Sequence, residues 1–512
     1  MRRTWLSVLV VACLMLGGDA VADVATRPSN PAGASRARDL IIGLDLDAAR
    51  TLLEKADPTD PYVAFERARL KVYEGDCDAA ANTLSDPQLA KLDEDEYVQR
   101  YDSGLGEIAR GCARTTAETS VVDDKVSHVW IRFQDDADRV LAPVLIDTVV
   151  KARDSITRDL GVDWPQPTRV VVVRDLVALS AMTGLPYESA STTGTVGVAK
   201  WGRVTLLSPR ASQHGFAWRD TLAHELTHLA VTHASADRAP LWLQEGLAKR
   251  EELRWRSPNG FDDRPSPESI VAYGIQKHLD LPLDKLGPSI AMLPSADQAM
   301  VAFAEVTSFV RTMVTQAGDD ATKKLLAALR AGTPIEQALQ SATGSNLQGW
   351  DVRWRAQLAT QNESPPASLL AAETKDTRTM REHVRLAELL IGRGHGRDAA
   401  TELDSITGPL LSDPHVRYLK ARALDKESMD DARRVLGEPA ELYGSYAPWW
   451  AIRGRFAASA LDPSAANDFV EAIAQDPIDV EAACESLDGV TKAGDPLCDA
   501  ARASGTPDVG RE

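Results

Sequence analysis

The most informative stretch of the sequence is Thr221-Leu222-Ala223-His224-Glu225-Leu226-Thr227-His228-Leu229-Ala230-Val231. Its leucines are three and four residues apart, which predicts a helix with one apolar face buried in a domain core. Residues four apart lie on one face of a helix with Cβ atoms about 5–6 Å apart, so the imidazoles of His224 and His228 can reach one metal ion. Glu225 is rotated by about 100° from His224, which suits a carboxylate beside the ion rather than on it. Neutral imidazoles suit zinc, and a catalytic zinc needs a third protein ligand and one open position for water.

The expected third ligand lies in a second stretch, Ala239-Pro240-Leu241-Trp242-Leu243-Gln244-Glu245-Gly246-Leu247-Ala248. Sixteen residues separate His228 from Glu245, which is enough to end the first helix and bring a second helix back alongside it. Pro240 suits the first position of that second helix, and Gly246, which has no Cβ, allows the two helices to approach closely. These residues resemble the gluzincin metallopeptidases, and most closely the peptidase MA-like proteins, in which His-Glu-x-x-His is followed by Trp-Leu-x-Glu-Gly. The motifs cover residues 224–248, and a looser resemblance of strand and helix order covers about 125–360.

The resemblance implies that His224, His228 and Glu245 hold one zinc ion per chain, with Glu225 as general base and then general acid. Zinc lowers the pKa of a bound water towards about 7 and polarises the scissile carbonyl. The alternative is an ordinary charged helix pair without a metal. His233 is at the wrong spacing for the third histidine of metzincins, and we interpret it as a surface residue or one that supports a ligand. The Gly-Ala-Met-Glu-Asn-type motif of zinc aminopeptidases is absent, which favours an endopeptidase.

Four further residues are candidates around the ligands. We predict that Asp220 and Glu252, one and two turns away along their helices, orient the ligands, with a solvated helix charge as the alternative for each. Related enzymes stabilise the oxyanion with a tyrosine or a histidine, for which Tyr273 and His214 are the candidates here. Relatives often carry a tyrosine where this chain has Phe303, whose ring cannot donate a hydrogen bond.

Composition excludes several classes of partner. The chain has 512 residues, of which 44% are hydrophobic and 26% charged, as in globular proteins of two to four domains. A formal net charge of −18 repels phosphate backbones and anionic lipid, and 5% aromatic residues offer few platforms for stacking bases. We therefore predict no nucleic-acid partner. After the N-terminus, no segment is long and apolar enough to predict a transmembrane helix.

Residues 1–22 have the three parts of a secretory signal peptide. Arg2-Arg3 precede an apolar run from Trp5 to Leu16, and Ala20-Val21-Ala22 follows as a small-x-small cleavage site. The run is shorter than the about 20 apolar residues that span a bilayer. We therefore predict export to the periplasm or out of the cell, with cleavage before Asp23. A lipoprotein anchored at Cys13 and a twin-arginine signal are the open alternatives.

Four cysteines remain after the predicted cleavage, one pair near each end of the chain. In an oxidising compartment, the simplest of their three pairings is two local disulfides, Cys77–Cys112 and Cys484–Cys498. Free buried thiols are the alternative. No Cys-x-x-Cys is present, which excludes cysteine zinc knuckles and thioredoxin chemistry.

The whole pattern predicts an α+β, mainly α protein in which a zincin-like domain, residues 120–362, is flanked by helical segments 35–118 and 368–505. In the central domain, the alternating residues 128–133 and the β-branched run 169–173 predict strands. Residues 196–200 and 203–207 predict a hairpin, and either of its strands is a candidate for pairing with an extended substrate.

The flanking segments repeat Asp-Ala-rich units at offsets of 31–34 residues, which resemble degenerate tetratricopeptide repeats. Unrelated helical hairpins are the alternative. Ser364-Pro365-Pro366 marks a domain boundary, because consecutive prolines cannot continue a helix. Trp449-Trp450 is predicted to be repeat core, and residues 249–252 a mixed-charge helix face.

Together these features predict an exported zinc-dependent metallopeptidase, an endopeptidase of the gluzincin type that hydrolyses a peptide or protein substrate. A protein partner on the repeats is a further expectation. The alternative is a non-catalytic binding or assembly scaffold of the cell envelope, with a vestigial peptidase domain. Because a scaffold has no need of all four site residues, their presence favours the enzyme.

Overall fold

A computed structural model of the chain describes residues 32–90, 104–212, 215–258, 262–366, 377–406, 413–436 and 446–475, together with residues 369, 411, 484, 487 and 498. The predicted signal peptide with Cys13, and the oxyanion candidate His214, lie outside these residues. The described residues are mainly helical with one small mixed sheet, so the predicted α+β, mainly α class is confirmed. None of the helices that the structure describes has both the length and the apolar character needed to cross a bilayer.

The N-terminal part is helical and packs against the sheet. Its helices are α1 (Ala32–Ile42), α2 (Leu46–Lys55), α3 (Pro61–Glu74), α4 (Cys77–Leu84), α5 (Pro87–Ala90) and α6 (Leu105–Thr116). The predicted disulfide Cys77–Cys112 is present and joins α4 to α6. The fully buried Arg203 of the sheet donates to the carbonyl of Val72 in α3 at 2.6 Å, which ties this part to the centre of the molecule.

The sheet that the described residues form has the strand order β1-β2-β3-β5-β4. Its strands are β1 (Ser120–Asp124), β2 (Val129–Phe133), β3 (Thr168–Val173), β4 (Gly197–Lys200) and β5 (Arg203–Leu207). The pairs β2–β3 and β3–β5 are parallel, and the outer pairs are antiparallel. The predicted strands and hairpin are present, whereas β1 was not predicted, because its half-exposed residues carry no apolar run. The strand order places β4 at the edge of this sheet and β5 in its interior.

The central helices surround the sheet and carry both motifs. They are α7 (Ala142–Leu160), α8 (Leu176–Thr183), α9 (Tyr187–Thr193), α10 (Trp218–Ser235), α11 (Leu241–Glu251), α12 (Pro267–Lys277), α13 (Ala296–Ala317), α14 (Asp319–Arg330), α15 (Ile335–Thr343) and α16 (Leu347–Gln361). Short 3₁₀ turns occupy Asp136–Leu141, Pro209–Ala211, Leu283–Lys285 and Ile290–Met292. α10 packs against α7, β4 and β5 on one side and α11 on the other, and α11 packs in turn against α13.

The C-terminal part consists of helices that pack in consecutive pairs. They are α17 (Thr377–Gly392), α18 (Gly396–Asp404), α19 (Pro414–Leu424), α20 (Met429–Leu436), α21 (Ala447–Ser459) and α22 (Ala465–Gln475). Trp449 and Trp450 are buried in the core of this part, as predicted. The predicted disulfide Cys484–Cys498 is also present. The assignment to tetratricopeptide repeats stays a prediction.

The main hydrophobic core crosses the predicted domain boundaries. It includes Phe65 of α3, Phe133 of β2 and Leu226 of α10, and it continues into α22 through Phe469 and Ile473. The central part therefore packs directly against both the N-terminal helices and the last helix of the C-terminal part. The boundaries near residues 119 and 365 stay predictions.

Candidate metal centre

α10 brings the two histidines of the first motif onto one face. The helix runs for 18 residues and ends at Ser235, and the C-cap residue Ala236 that follows has a left-handed φ of 51°. Its leucines are fully or nearly fully buried, which fixes the rotation of the helix about its axis: Leu222, Leu226 and Leu229. With that rotation, His224 is 8% exposed, and its Nε2 lies 3.2 Å from Nε2 of His228.

α11 brings Glu245 to the same place. The helix begins at Leu241, so Pro240 precedes it at the N-cap rather than occupying its first position. The expectation that Gly246 lets α11 approach α10 was wrong: a Cβ on Gly246 would meet Val310 and the carbonyl oxygen of Val306 in α13, the latter at 2.8 Å. One residue along a helix is a rotation of about 100°, so Glu245 faces α10 while Gly246 faces α13.

The three predicted ligands have the spacing of a tetrahedral zinc site. Oε2 of Glu245 lies 3.5 Å from Nε2 of His224 and 3.5 Å from Nε2 of His228. Zinc bonds of about 2.0–2.1 Å in a tetrahedron put neighbouring donors roughly 3.3 Å apart. Among the described residues, His224, His228 and Glu245 form one group whose donor atoms all lie within 4.8 Å of one another. Two imidazoles and one carboxylate in this geometry fit a zinc ion and leave one tetrahedral position for water.

Glu225 lies beside these donors and under the edge strand of the sheet. It is 7% exposed, and a Cβ built on Gly197 of β4 would be 3.1 Å from its Oε1. Burial raises the pKa of the Glu225 carboxyl, against the effect of a hydrogen bond from the backbone of Ala199. The carboxyl is therefore held between α10 and β4.

The carboxylates around the histidines govern their protonation. Burial lowers the pKa of His224, but its contacts with Glu245 and Glu252 outweigh burial and raise the pKa to about 10. Burial opposes the charged form of His228 too, yet the Glu245 carboxylate raises its pKa. Burial raises the pKa of Glu245, but the two histidines hold it well below its usual range. The two histidines therefore favour their protonated forms, whereas Glu245 favours its ionised form. Because metal ligands must be deprotonated, the metal affinity of the cluster should fall as pH falls.

Residues 155–360 match the family model of the Peptidase MA superfamily. The chain contains a peptidase MA-like domain. Both motifs lie inside the match, and proteins of this superfamily are typically zinc-dependent. No curated protein matches the chain.

In the peptidase MA-like domain, His224 and His228 each have a polar partner on Nδ1, the ring nitrogen that faces away from the donor cluster. Oε2 of Glu252 lies 3.0 Å from Nδ1 of His224, and Oε1 of Gln244 lies 3.4 Å from Nδ1 of His228. Lys249 donates to both oxygens of Glu252, at 2.7 and 3.0 Å. Burial opposes ionisation of Glu252, but Lys249 and His224 outweigh it and lower the pKa to about 2. An ionised Glu252 orients the His224 ring.

Sequence reasoning missed Gln244 and Lys249. Lys249 was interpreted as part of a mixed-charge face, and Gln244 is the variable position of Trp-Leu-x-Glu-Gly. The available signal was position: Lys249 is four residues after Glu245, and therefore on the same face of α11.

The other predicted residues lie at varying distances from the ligands. Asp220 accepts hydrogen bonds from Trp255 Nε1 at 3.0 Å and from Arg256 at 2.8 Å, rather than from a ligand histidine. His233 contacts the carbonyl oxygen of Asp163 at 2.6 Å and so lies away from the centre. Tyr273 is buried on α12. Phe303 of α13 stacks edge to face on His224, with ring centroids 6.3 Å apart.

Proposed function

We propose that this protein is an exported zinc-dependent metallopeptidase, with His224, His228 and Glu245 as its zinc ligands. The observation that carries the proposal is the arrangement of three donor atoms 3.2–3.5 Å apart, with the carboxyl of Glu225 beside them. The match of residues 155–360 to a peptidase superfamily supports the same chemistry. A peptidase takes a peptide or protein substrate.

The catalytic steps follow from what the side chains can do. When bound, zinc lowers the pKa of a water ligand and polarises the scissile carbonyl. Glu225 accepts the proton of the attacking water and then delivers it to the leaving amine, because its carboxyl lies beside the three donor atoms and is held there by β4. Glu252 keeps the His224 ring in one orientation, and Lys249 keeps Glu252 ionised.

β4 is the strand on which an extended substrate would lie. Of the two strands of the hairpin, β5 is paired on both sides, with β3 and β4, whereas the outer edge of β4 is unpaired in the sheet that the described residues form. An added strand gains main-chain hydrogen bonds along that edge. Since Gly197 of β4 packs against Glu225, a peptide paired with β4 would pass close to the general base. A substrate bound through its backbone suits an endopeptidase.

Export is supported by covalent chemistry as well as by the N-terminal sequence. Two disulfides, Cys77–Cys112 and Cys484–Cys498, persist in an oxidising compartment and are rare in reducing ones. We place the predicted domains on the elements described above: residues 35–118 with α1–α6, 120–362 with the sheet and α7–α16, and 368–505 with α17–α22. In that division, the outer parts support the central domain and offer surfaces for a protein partner.

The experiment is cleavage of a peptide mixture by the zinc-loaded mature chain, followed by mass spectrometry of the products. We expect cleavage by the wild type and a loss of about 10²–10⁴-fold in rate for Glu225→Gln, which cannot accept the proton. Glu427→Gln, in the C-terminal part, is the matched control and should cleave like the wild type. If Glu225→Gln cleaves as fast as the wild type, or if no peptide is cleaved by a folded, zinc-bound chain, the scaffold alternative is favoured.

A further inference from the structure

A cavity of about 510 Å³ lies next to the residues that contact His224. Lys249, Glu252 and Phe303 line the end of the cavity nearest to His224. Glu252 contacts Nδ1 of that histidine at 3.0 Å, and the Phe303 ring stacks against its imidazole. Ligand pockets typically enclose about 300–1,000 Å³, so this volume suits a substrate side chain together with its neighbouring backbone.

One wall of the cavity is apolar. It is formed mainly by α12 and α13, through Ile270, Met300 and Phe303, with Leu253 from the turn after α11. These four side chains are half-buried, so their apolar surface is still accessible from the cavity. Burying that surface against an apolar ligand contributes about 25 cal/mol per Å².

Carboxylates also line the cavity, and each of them already has a cationic partner. Arg256 donates to both Asp220 and Asp262, and Arg311 donates to Asp263 at 2.8 Å. Two further carboxylates, also on the cavity, are paired with Lys249 and Arg219: Glu252 and Glu471. An incoming lysine or arginine would have to displace a cation already in place, which gains little. The apolar wall is therefore better suited than these paired carboxylates to select a ligand.

The C-terminal part supplies the outer edge of the cavity. Glu471 of α22 lines it and accepts from Arg219 of α10 at 3.0 Å. Trp218, in the same first turn of α10, donates its indole N–H to the carbonyl oxygen of Ala474. Because Phe469 and Ile473 of α22 are part of the main core, this contact is packed as well as ionic. α22, the helix that closes the cavity, begins more than 100 residues after the end of the match to the peptidase family.

We propose that this cavity is a substrate subsite for a large apolar side chain, leucine, methionine or phenylalanine, and that α22 of the C-terminal part forms its outer wall. The inference rests on the proposed peptidase function, because it assumes that a peptide is held at the metal centre. Specificity is then shared between the peptidase MA-like domain and a helix outside it.

The first test measures the side-chain preference of the full mature chain, loaded with zinc. A cleaved peptide is resynthesised with Leu, Met, Phe, Ala, Lys or Glu at each position around the scissile bond. We expect one position to prefer the three large apolar residues over Ala, Lys and Glu by about 10–100-fold in kcat/KM. Met300→Trp, which fills the cavity, should reduce that preference to about threefold or less, while preferences at the other positions stay. Met429→Trp, at an exposed position of α20, is the matched control.

The second test isolates the wall formed by α22. Glu471→Ala removes the side chain that closes the cavity, and we expect the ratio of kcat/KM for Phe over Ala at the selected position to change about threefold or more. Glu427→Ala, which breaks an exposed ion pair with Arg397 elsewhere in the C-terminal part, should leave the ratio unchanged. An unchanged ratio in Glu471→Ala would remove α22 from the subsite.

Binding separates this inference from the proposed activity. The zinc-bound Glu225→Gln chain is titrated with the same peptides, labelled with a fluorophore, and anisotropy gives their affinities. The wild type could cleave no peptide while Glu225→Gln binds the peptides with Leu, Met or Phe more tightly than those with Ala, Lys or Glu. If Met300→Trp then removes this difference in affinity, the proposed activity fails and the subsite stands. A preference for Lys, an absence of preference at every position, or an apolar preference that Met300→Trp leaves intact would overturn the subsite.

Discussion

Largely buried carboxylates lie both at the metal centre and at the first turn of α10, but their hydrogen-bond partners differ. At the first turn, the guanidinium of Arg256 lies between Asp220 and Asp262 and donates to both. One turn along the same helix, two imidazole nitrogens and Oε2 of Glu245 face one another at 3.2–3.5 Å. The carboxylate pair bridged by arginine has its partner within the chain, whereas the three facing donors have the spacing of an ion site.

Arg256→Ala should give the largest effect, because it leaves Asp220 and Asp262 without their shared partner. Breaking a largely buried ion pair costs about 3–5 kcal/mol, and we expect urea unfolding to show a loss of that size. Zinc per chain should not change. Arg397→Ala, which breaks an exposed ion pair, is the control and should cost less than about 1 kcal/mol. The comparison would be contradicted by an Arg256→Ala protein with wild-type stability and no zinc.

Gly197→Ala tests whether β4 holds Glu225 in place. The added Cβ would lie 3.0 Å from Cγ of Glu225 and 2.9 Å from Cγ2 of Thr221, so the carboxyl must shift. Since a displacement of about 1 Å can cost about 10²-fold, we expect kcat for peptide cleavage to fall by that order while zinc content is kept. Gly392→Ala, where a Cβ meets nothing within 4 Å, is the matched control. An unchanged kcat would separate β4 from the position of the base.

Glu252→Gln should weaken zinc binding without a comparable loss of stability. The amide keeps the shape but loses the charge that orients His224, and such a change typically costs 10–100-fold in metal affinity. Competition with a chelator of known affinity measures the effect. Glu54→Gln on the exposed face of α2 is the control. A wild-type zinc affinity in Glu252→Gln would mean that the carboxylate only pairs with Lys249.

Glu305 extends the comparison to a buried carboxyl that forms no ion pair with any of the described residues. Its Oε2 accepts from the Leu281 N–H at 3.2 Å, whereas its Oε1 has no hydrogen-bond partner among the described residues. Burial raises the pKa of Glu305 to about 8, against about 4.3 for an unfolded glutamate. Between these values the folded chain holds a proton that the unfolded chain has released, so this group makes stability fall as pH rises, by at most about 1.4 kcal/mol per pH unit.

Urea unfolding at pH 5, 6, 7 and 8 checks this expectation. Glu305→Gln should remove the decline attributable to this group and be more stable than the wild type at pH 8. Glu336→Gln, which changes a carboxyl that also accepts from a backbone N–H but lies at an exposed position, should follow the wild type. Parallel pH profiles for Glu305→Gln and the wild type would show that Glu305 ionises in the folded chain as freely as in the unfolded one.

The sequence predicted what depends on local spacing and missed what depends on contacts between distant segments. The His-Glu-x-x-His spacing and the apolar leucines placed His224 and His228 on a buried helix face, and β-branched residues marked β3. The half-exposed β1 gave no apolar run, and no local pattern showed that Gly246 packs against α13. The contact of Glu471 with Arg219 joins residues 252 positions apart, and only the folded chain brings them together.

Zinc content of the purified mature chain, measured by mass spectrometry beside a His224→Ala/Glu245→Ala variant, is the decisive test of the metal centre. We expect about one zinc per wild-type chain and almost none in the variant, with both proteins folded by circular dichroism. A folded wild-type chain without zinc after incubation with the ion would contradict the metal centre, and so would a variant that retains it.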